Sequence, residues 1–212
     1  SNLESENHLK ILGARNVVCT GNIKLISHIS IENIFCKNEK FLSSNKVWCA
    51  ASTHKGEEEF CLKTHLKLKT HFTNIFTVLA PRHIKRVSEI KKLCHKLDLK
   101  YQVVQKDDHI SGEKEIIIIN SFGILNEYFK YVKSVFMGKS LLKKLENVGG
   151  QNPIDAAKLG CKIYYGPYTY NFKEIYEFLN KNEIAIKVAS PDELAENLLI
   201  DLKSEYKDKQ RF

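Results

Sequence analysis

The chain has 212 residues, 43% of them hydrophobic and 27% charged, and carries a net charge of +8. That length suits one large domain or two small ones, and the composition is that of a soluble globular protein. No run reaches the ~18 apolar residues of a spanning helix and no signal peptide is visible; the excess of lysine favours anionic partners, whether nucleotide, nucleic acid or acidic membrane.

Residues 3–12 have weak helical spacing, and Gly13 can stop them. Residues 17–20 read as a short strand ending at Gly21-Asn22. Residues 29–35 fit a helix or a strand, and the stretch around them reads as a linker. From Lys46 the rhythm is regular. Residues 47–51 read as a buried strand and 52–56 as a polar loop. Three glutamates then open a helix, opposing its positive dipole end. Cys61, His65, Leu68 and Phe72 mark one face of that helix. Strands are expected at 75–79, 101–104, 116–119, 135–137, 163–165 and 184–188. Helices are expected from Ile84 to Leu97, at 125–132, after Asn152, at 172–179 and from Ser190. The six cysteines, Cys19, Cys36, Cys49, Cys61, Cys94 and Cys161, include no Cys-x-x-Cys pair. They read as reduced core thiols. His65 and His71 read as structural.

Strand and helix alternate with short connections. The fold class is therefore α/β, a Rossmann-like parallel sheet with helices on both faces. The expected division is 1–45 as linker and first strand, 46–190 as the Rossmann-like domain, and 191–212 as a C-terminal helix. Ligands of such sheets bind at the carboxyl ends of the strands. The loops there are 52–56, 80–83, 120–123, 138–152 and 166–171.

Five groups in those loops and near the first strand can carry chemistry. In Gly149-Gly150-Gln151-Asn152-Pro153-Ile154-Asp155, Asn152 can cap a helix, Pro153 suits its first position, and the start can hold an anion. Asp155 can accept from a ribose diol or cap the helix itself. In Pro81-Arg82-His83 a guanidinium can fork onto a phosphate, or sit solvated at a helix start. In Asn120-Ser121-Phe122-Gly123, Phe122 can pack on a base or belong to the core. Ser52-Thr53-His54 with Gly56-Glu57 reads as a capping box, which leaves His54 to contact a phosphate or carboxylate. Lys24, after Gly21-Asn22-Ile23, can stabilise a leaving phosphate. No metal constellation, Gly-x-Gly-x-x-Gly or Walker loop is present.

In order, these pieces resemble the 3-deoxy-D-manno-octulosonic acid (Kdo) transferases of lipopolysaccharide synthesis. The matching blocks are Gly21-Asn22-Ile23-Lys24, Ala51-Ser52-Thr53-His54-Lys55-Gly56-Glu57-Glu58, Leu79-Ala80-Pro81-Arg82-His83, Phe136-Met137-Gly138-Lys139-Ser140, residues 149–157, and Gly166-Pro167 with Asn171-Phe172. The resemblance implies the C-terminal, donor-binding half of a GT-B glycosyltransferase. It implies transfer of Kdo from CMP-Kdo to a lipid A precursor, with inversion and without a cofactor or metal, at the cytoplasmic face of the bacterial inner membrane. It assigns CMP to Pro81, Arg82, Phe122, Gly123, Ile124, Asn152, Pro153, Ile154 and Asp155. It adds Ser52, His54, Gly138 and Ser140 to the surroundings and gives Lys24 the transition-state charge. The base, a Glu, would lie in the other half, with the anchor and most of the acceptor surface. Three departures stand out: Gln151 replaces a usual His, Asp155 a usual Glu, and Ile124 an acid. Competing readings are a transferase or nucleotide-sugar epimerase with a uridine donor, and a basic nucleic-acid-binding module. The last lacks aromatics interleaved with basic residues.

Overall fold

The structure, a computed structural model, describes residues 3–18 and 29–204. The chain divides into two compact units, Ser1–Ser30 and Ile31–Phe212. In the first, helix α1 (Leu3–Ile11) gives way at Gly13, whose φ of +89° no L side chain adopts easily. Val17 and Val18 form no strand. The rest of the strand expected there, with Cys19 and Lys24, lies outside the described residues.

The second unit is built on seven strands: β1 (Lys46–Thr53), β2 (Ile75–Pro81), β3 (Tyr101–Val104), β4 (Ile116–Ile119), β5 (Ser134–Met137), β6 (Lys162–Tyr165) and β7 (Ala185–Lys187). They form one sheet in the order β3-β4-β2-β1-β5-β6-β7. Every neighbouring pair is parallel. Helix α2 (Glu39–Ser44) precedes β1; between the strands come α3 (Glu57–Lys69), α4 (Val87–Lys96), α5 (Leu125–Phe129), α6 (Ile154–Lys158) and α7 (Lys173–Lys181), and α8 (Pro191–Lys203) follows β7.

The alternation of side chains along each strand explains why the runs are apolar throughout. On one face, Trp48, Ala50, Leu79, Ile116, Ile118, Phe136 and Tyr164 pack with Cys61 and Leu68 of α3, Ile90 of α4, and Leu194 and Leu198 of α8. On the other, Val47, Cys49, Ala51, Ile117, Ile119, Val135 and Ile163 are equally buried. There Phe41 of α2 meets Phe76, and Tyr176 of α7 meets Tyr165. The five described cysteines form no disulfide with one another and are buried. Burial raises the Cys49 and Cys61 thiols, so they stay protonated.

Several boundaries differ from the periodicity. The expected loop at 52–56 loses its first residues to β1, which bulges at Ser52 and pairs on to Thr53. The helix expected from Ile84 starts as a 3-10 turn, Ile84–Arg86. The ambiguous 29–35 stretch holds one 3-10 turn, Ile31–Asn33. The last helix starts as expected: the Ser190 hydroxyl accepts from the Glu193 amide at 3.1 Å.

Candidate functional site

The strand order reverses between β1 and β5. From β1 the chain builds outward through β2 with β4 and β3 beyond it, then crosses to β5, β6 and β7. The crevice outside the carboxyl ends of β1 and β5 is where such sheets take ligands.

At the end of β1, Ser52 has φ +55°, a left-handed conformation that costs a non-glycine residue free energy. The bend turns its carbonyl toward His54, whose Nδ1 stands 3.1 Å away. A carbonyl only accepts, so Nδ1 carries the proton and the neutral ring presents Nε2 as an acceptor. Burial lowers the His54 pKa, outweighing Glu57, so the ring is neutral at pH 7. His83, after β2, meets it edge-on with ring centroids 5.8 Å apart. The Arg82 amide donates to the Thr53 carbonyl at 3.0 Å, tying the two loops. Its side chain is exposed, and its guanidinium has no partner among the described residues.

Two acids that open α3 do more than oppose its dipole. Glu57 is fully buried. Its carboxylate accepts from the amides of His54 at 2.9 Å, Lys139 at 2.7 Å, Ser140 at 2.8 Å and Leu141 at 3.0 Å. Glu58, also fully buried, takes Arg86 at 2.7 and 3.2 Å through two guanidinium nitrogens. Burial raises Glu58, and Arg86 opposes it. The capping-box expectation is corrected. Gly56 in a left-handed conformation takes the cap position without a side-chain bond, and the Thr53 hydroxyl is buried without a partner among the described residues. The sequence signal for Glu57 is an acid beside the bend, but three of its four partners lie about eighty residues away in the chain.

After β5 the backbone of Gly138 lies against that of Ser52 and Thr53. A Cβ there would collide with the Ser52 carbonyl and stand 2.6 Å from Thr53 Cα. Gly166 and Gly149 repeat this close approach, against Ser140 and Tyr168. Ser140 is fully buried; its hydroxyl donates to the Met137 carbonyl at 2.7 Å and accepts from the Gly166 amide at 2.8 Å. It therefore fastens β5 to β6 and presents nothing to solvent.

The 149–155 turn hangs from these loops. The Gly150 amide donates to the Lys139 carbonyl at 2.6 Å, the Asn171 amide to the Gly149 carbonyl at 2.9 Å, and the Tyr176 hydroxyl to the Gln151 carbonyl at 2.9 Å. Asn152 Oδ1 accepts from the Ile154 amide at 3.1 Å. Pro153 takes the cap position rather than the first helical one, and α6 has only five residues. A helix that short has little macrodipole, so the expected anion site at its start is corrected to an ordered turn. Pro153 and Ile154 are buried. The Asp155 carboxylate makes no capping bond.

Phe122 and Gly123 follow β4, on the far side of β2. Phe122 is 64% exposed, which excludes the core alternative for it. Gly123 has φ +79°. Ile124 is buried. Among the described residues no three His, Cys, Asp or Glu side chains come together as a metal site. A cavity at the opposite end of the sheet is lined by Lys46, Asn74, Lys133 and Leu202. Lys46 and Lys133 donate there to the carbonyls of Leu202 and Ser204, at the carboxyl end of α8.

The fold is that of GT-B glycosyltransferase C-terminal domains. The C-terminal CMP-Kdo binding domain of WaaA from Acinetobacter baumannii matches with a TM-score of 0.70 and 20% identity, over 85% of this chain and 89% of that one. The C-terminal domain of LpcC, a glycosyl transferase group 1 family protein of Francisella tularensis, matches with 0.51 and 14%, over 87% and 94%. In sequence, homologues named 3-deoxy-D-manno-octulosonic acid transferase run along nearly the whole chain. The Aquifex aeolicus protein is 28% identical over 211 residues, 98% of this chain and 55% of its own length. That of Haemophilus influenzae is 28% identical over 197 residues, 91% of this chain and 45% of its own. The chain thus spans about half the length of the curated relatives it matches. No family model matches it.

Proposed function

We propose that the chain is the donor-binding half of an inverting glycosyltransferase that passes Kdo from CMP-Kdo to a lipid A precursor. The observation that carries this reading is homology to proteins named Kdo transferase along 98% of the chain. The chemistry of the loops at the carboxyl ends of the strands supports it. Arg82 offers an unpaired guanidinium fork for the nucleotide phosphate. Phe122 offers an exposed ring for the cytosine, with the Gly123 and Ile124 backbone beside it. Asn152 and Asp155, the latter free of a capping bond, would hold the ribose, with Pro153 and Ile154 shaping the turn.

In the reaction, an acceptor hydroxyl attacks the anomeric carbon from the face opposite the phosphate. The carbon–oxygen bond to CMP breaks and the configuration inverts. By the resemblance, Lys24, which lies outside the described residues, would stabilise the charge that builds as CMP leaves. His54, neutral with Nε2 open, suits a sugar hydroxyl better than an anion. A general base for the acceptor would come from the half this chain does not span, as would most acceptor contacts. The surplus of lysine suits an acidic membrane surface, the cytoplasmic face of a bacterial inner membrane. No helix among the described residues is long and apolar enough to cross it.

Titration followed by amide NMR tests the reading. CMP should shift Arg82, Gly123 and Asn152 more than UMP does. Arg82→Ala should weaken CMP binding by about 10- to 100-fold, roughly 1.5–3 kcal/mol, without moving the thermal midpoint. An equal response to UMP would favour the uridine-donor reading. Shifts scattered over the lysine surface and abolished by salt would favour nucleic acid.

A further inference from the structure

We propose that Glu57 is the positioning residue of the nucleotide site: it sets the 149–155 turn through the loop after β5. The inference rests on the reading of that turn as the donor site.

The chain of contacts is continuous. Glu57 holds the His54 amide of the β1 loop with one oxygen, which also takes Lys139; the other oxygen takes Ser140 and Leu141. A buried carboxylate in contact with four N–H groups replaces its lost water with fixed dipoles, so its geometry is tightly determined. Lys139 is held in a left-handed conformation, φ +58°. Its amide points down to Glu57 while its carbonyl receives the Gly150 amide. Ser140 likewise donates to Glu57 by its amide and accepts from the Tyr168 amide by its carbonyl at 2.8 Å. Gly149 in turn is packed against the Tyr168 backbone. Two of the contacts that seat Gly149-Gly150 therefore pass through peptide units anchored on Glu57, and the Asn171 amide adds a third that does not. Glu57 itself, being fully buried, touches no ligand.

The substitution Glu57→Gln keeps size and one oxygen but turns an NH2 toward two amides that donate. Glu57→Ala removes all four acceptors. In the ligand-free chain, Glu57→Gln should move the amide resonances of Lys139, Ser140 and Leu141 upfield, and with them Gly150 and Asn152, which Glu57 does not touch. CMP affinity should fall about 10-fold in Glu57→Gln and further in Glu57→Ala. Thr64→Val serves as the control. It removes a buried hydroxyl lower on the same helix, bonded to the Phe60 and Pro191 carbonyls. At a matched loss of thermal midpoint it should leave CMP affinity within twofold. Unmoved Gly150 and Asn152 resonances in Glu57→Gln would overturn the proposal, as would an equal loss of affinity in the control. A wild-type chain that bound no CMP would instead overturn the function proposed above, and the ligand-free shifts would still decide the coupling to the turn.

Discussion

A carboxylate removed from water must be held by something else, and three glutamates here are held in different ways. Glu57 has four amides and Glu58 has Arg86. Glu115 closes a small polar network at the amino ends of β2 and β4. The fully buried His65 contacts the Thr77 hydroxyl at 2.8 Å and Glu115 at 3.5 Å. Lys69 reaches the same carboxylate at 2.6 Å, and the Lys100 amide donates to it at 3.0 Å. Burial pushes Glu115 up, but these donors together hold it at about 2. The folded pKa lies below the unfolded one, so the stability it adds is complete above about pH 4.5. It is lost as the pH falls through 4.5 toward 2. After allowance for partial exposure it is worth about 1–2 kcal/mol. Urea melts should show that Glu115→Gln costs this much at pH 7 and almost nothing near pH 2. A constant cost across that range would dismiss the network as a stabiliser.

At the level of elements, the site is made by the amino end of α3 and the loops it gathers. The place of His65 on the α3 stripe marks it as structural, and its contacts agree. The roles of Glu57 and Glu58 were not readable in that way. Three consecutive acids at a helix start look like dipole compensation, and local spacing carries no trace of Lys139 or Arg86. Arg86 joins α3 to the 3-10 turn after β2, beside Arg82. Arg86→Ala would leave Glu58 buried and unpaired, a loss of about 3–5 kcal/mol. Replacing both, as Glu58→Leu with Arg86→Met, should restore most of it. Chemical denaturation of the single and double variants measures the difference; additive losses would contradict the pairing. The small helix α6 teaches the opposite lesson. Asn, Pro and Asp in the order of a helix start suggested a dipole site, yet five residues are too few to make one, and the turn is ordered instead by its neighbours.

Across the whole molecule, α8 is part of the core. Leu194, Leu198 and Leu202 enter the cluster formed by α3 and the central strands. Leu198→Ala should cost about 2–4 kcal/mol, with the urea m-value unchanged because the same surface is exposed on unfolding. A loss under about 1 kcal/mol would mean that α8 folds apart from the sheet.

The alternating pattern of apolar runs and amphipathic stretches determined the fold class, because a strand covered on both faces must be apolar throughout, as the four isoleucines of β4 are. The order of short motifs along the chain, which needs no tertiary structure to read, resembles that of the Kdo transferases. The strand order, with its reversal between β1 and β5, came only from the tertiary structure. So did the exposure of Phe122, the burial of Ser140, and the Glu57 carboxylate joining amides from two loops. These depend on contacts between residues far apart in the chain, set when the sheet closes, and periodicity records only the near ones.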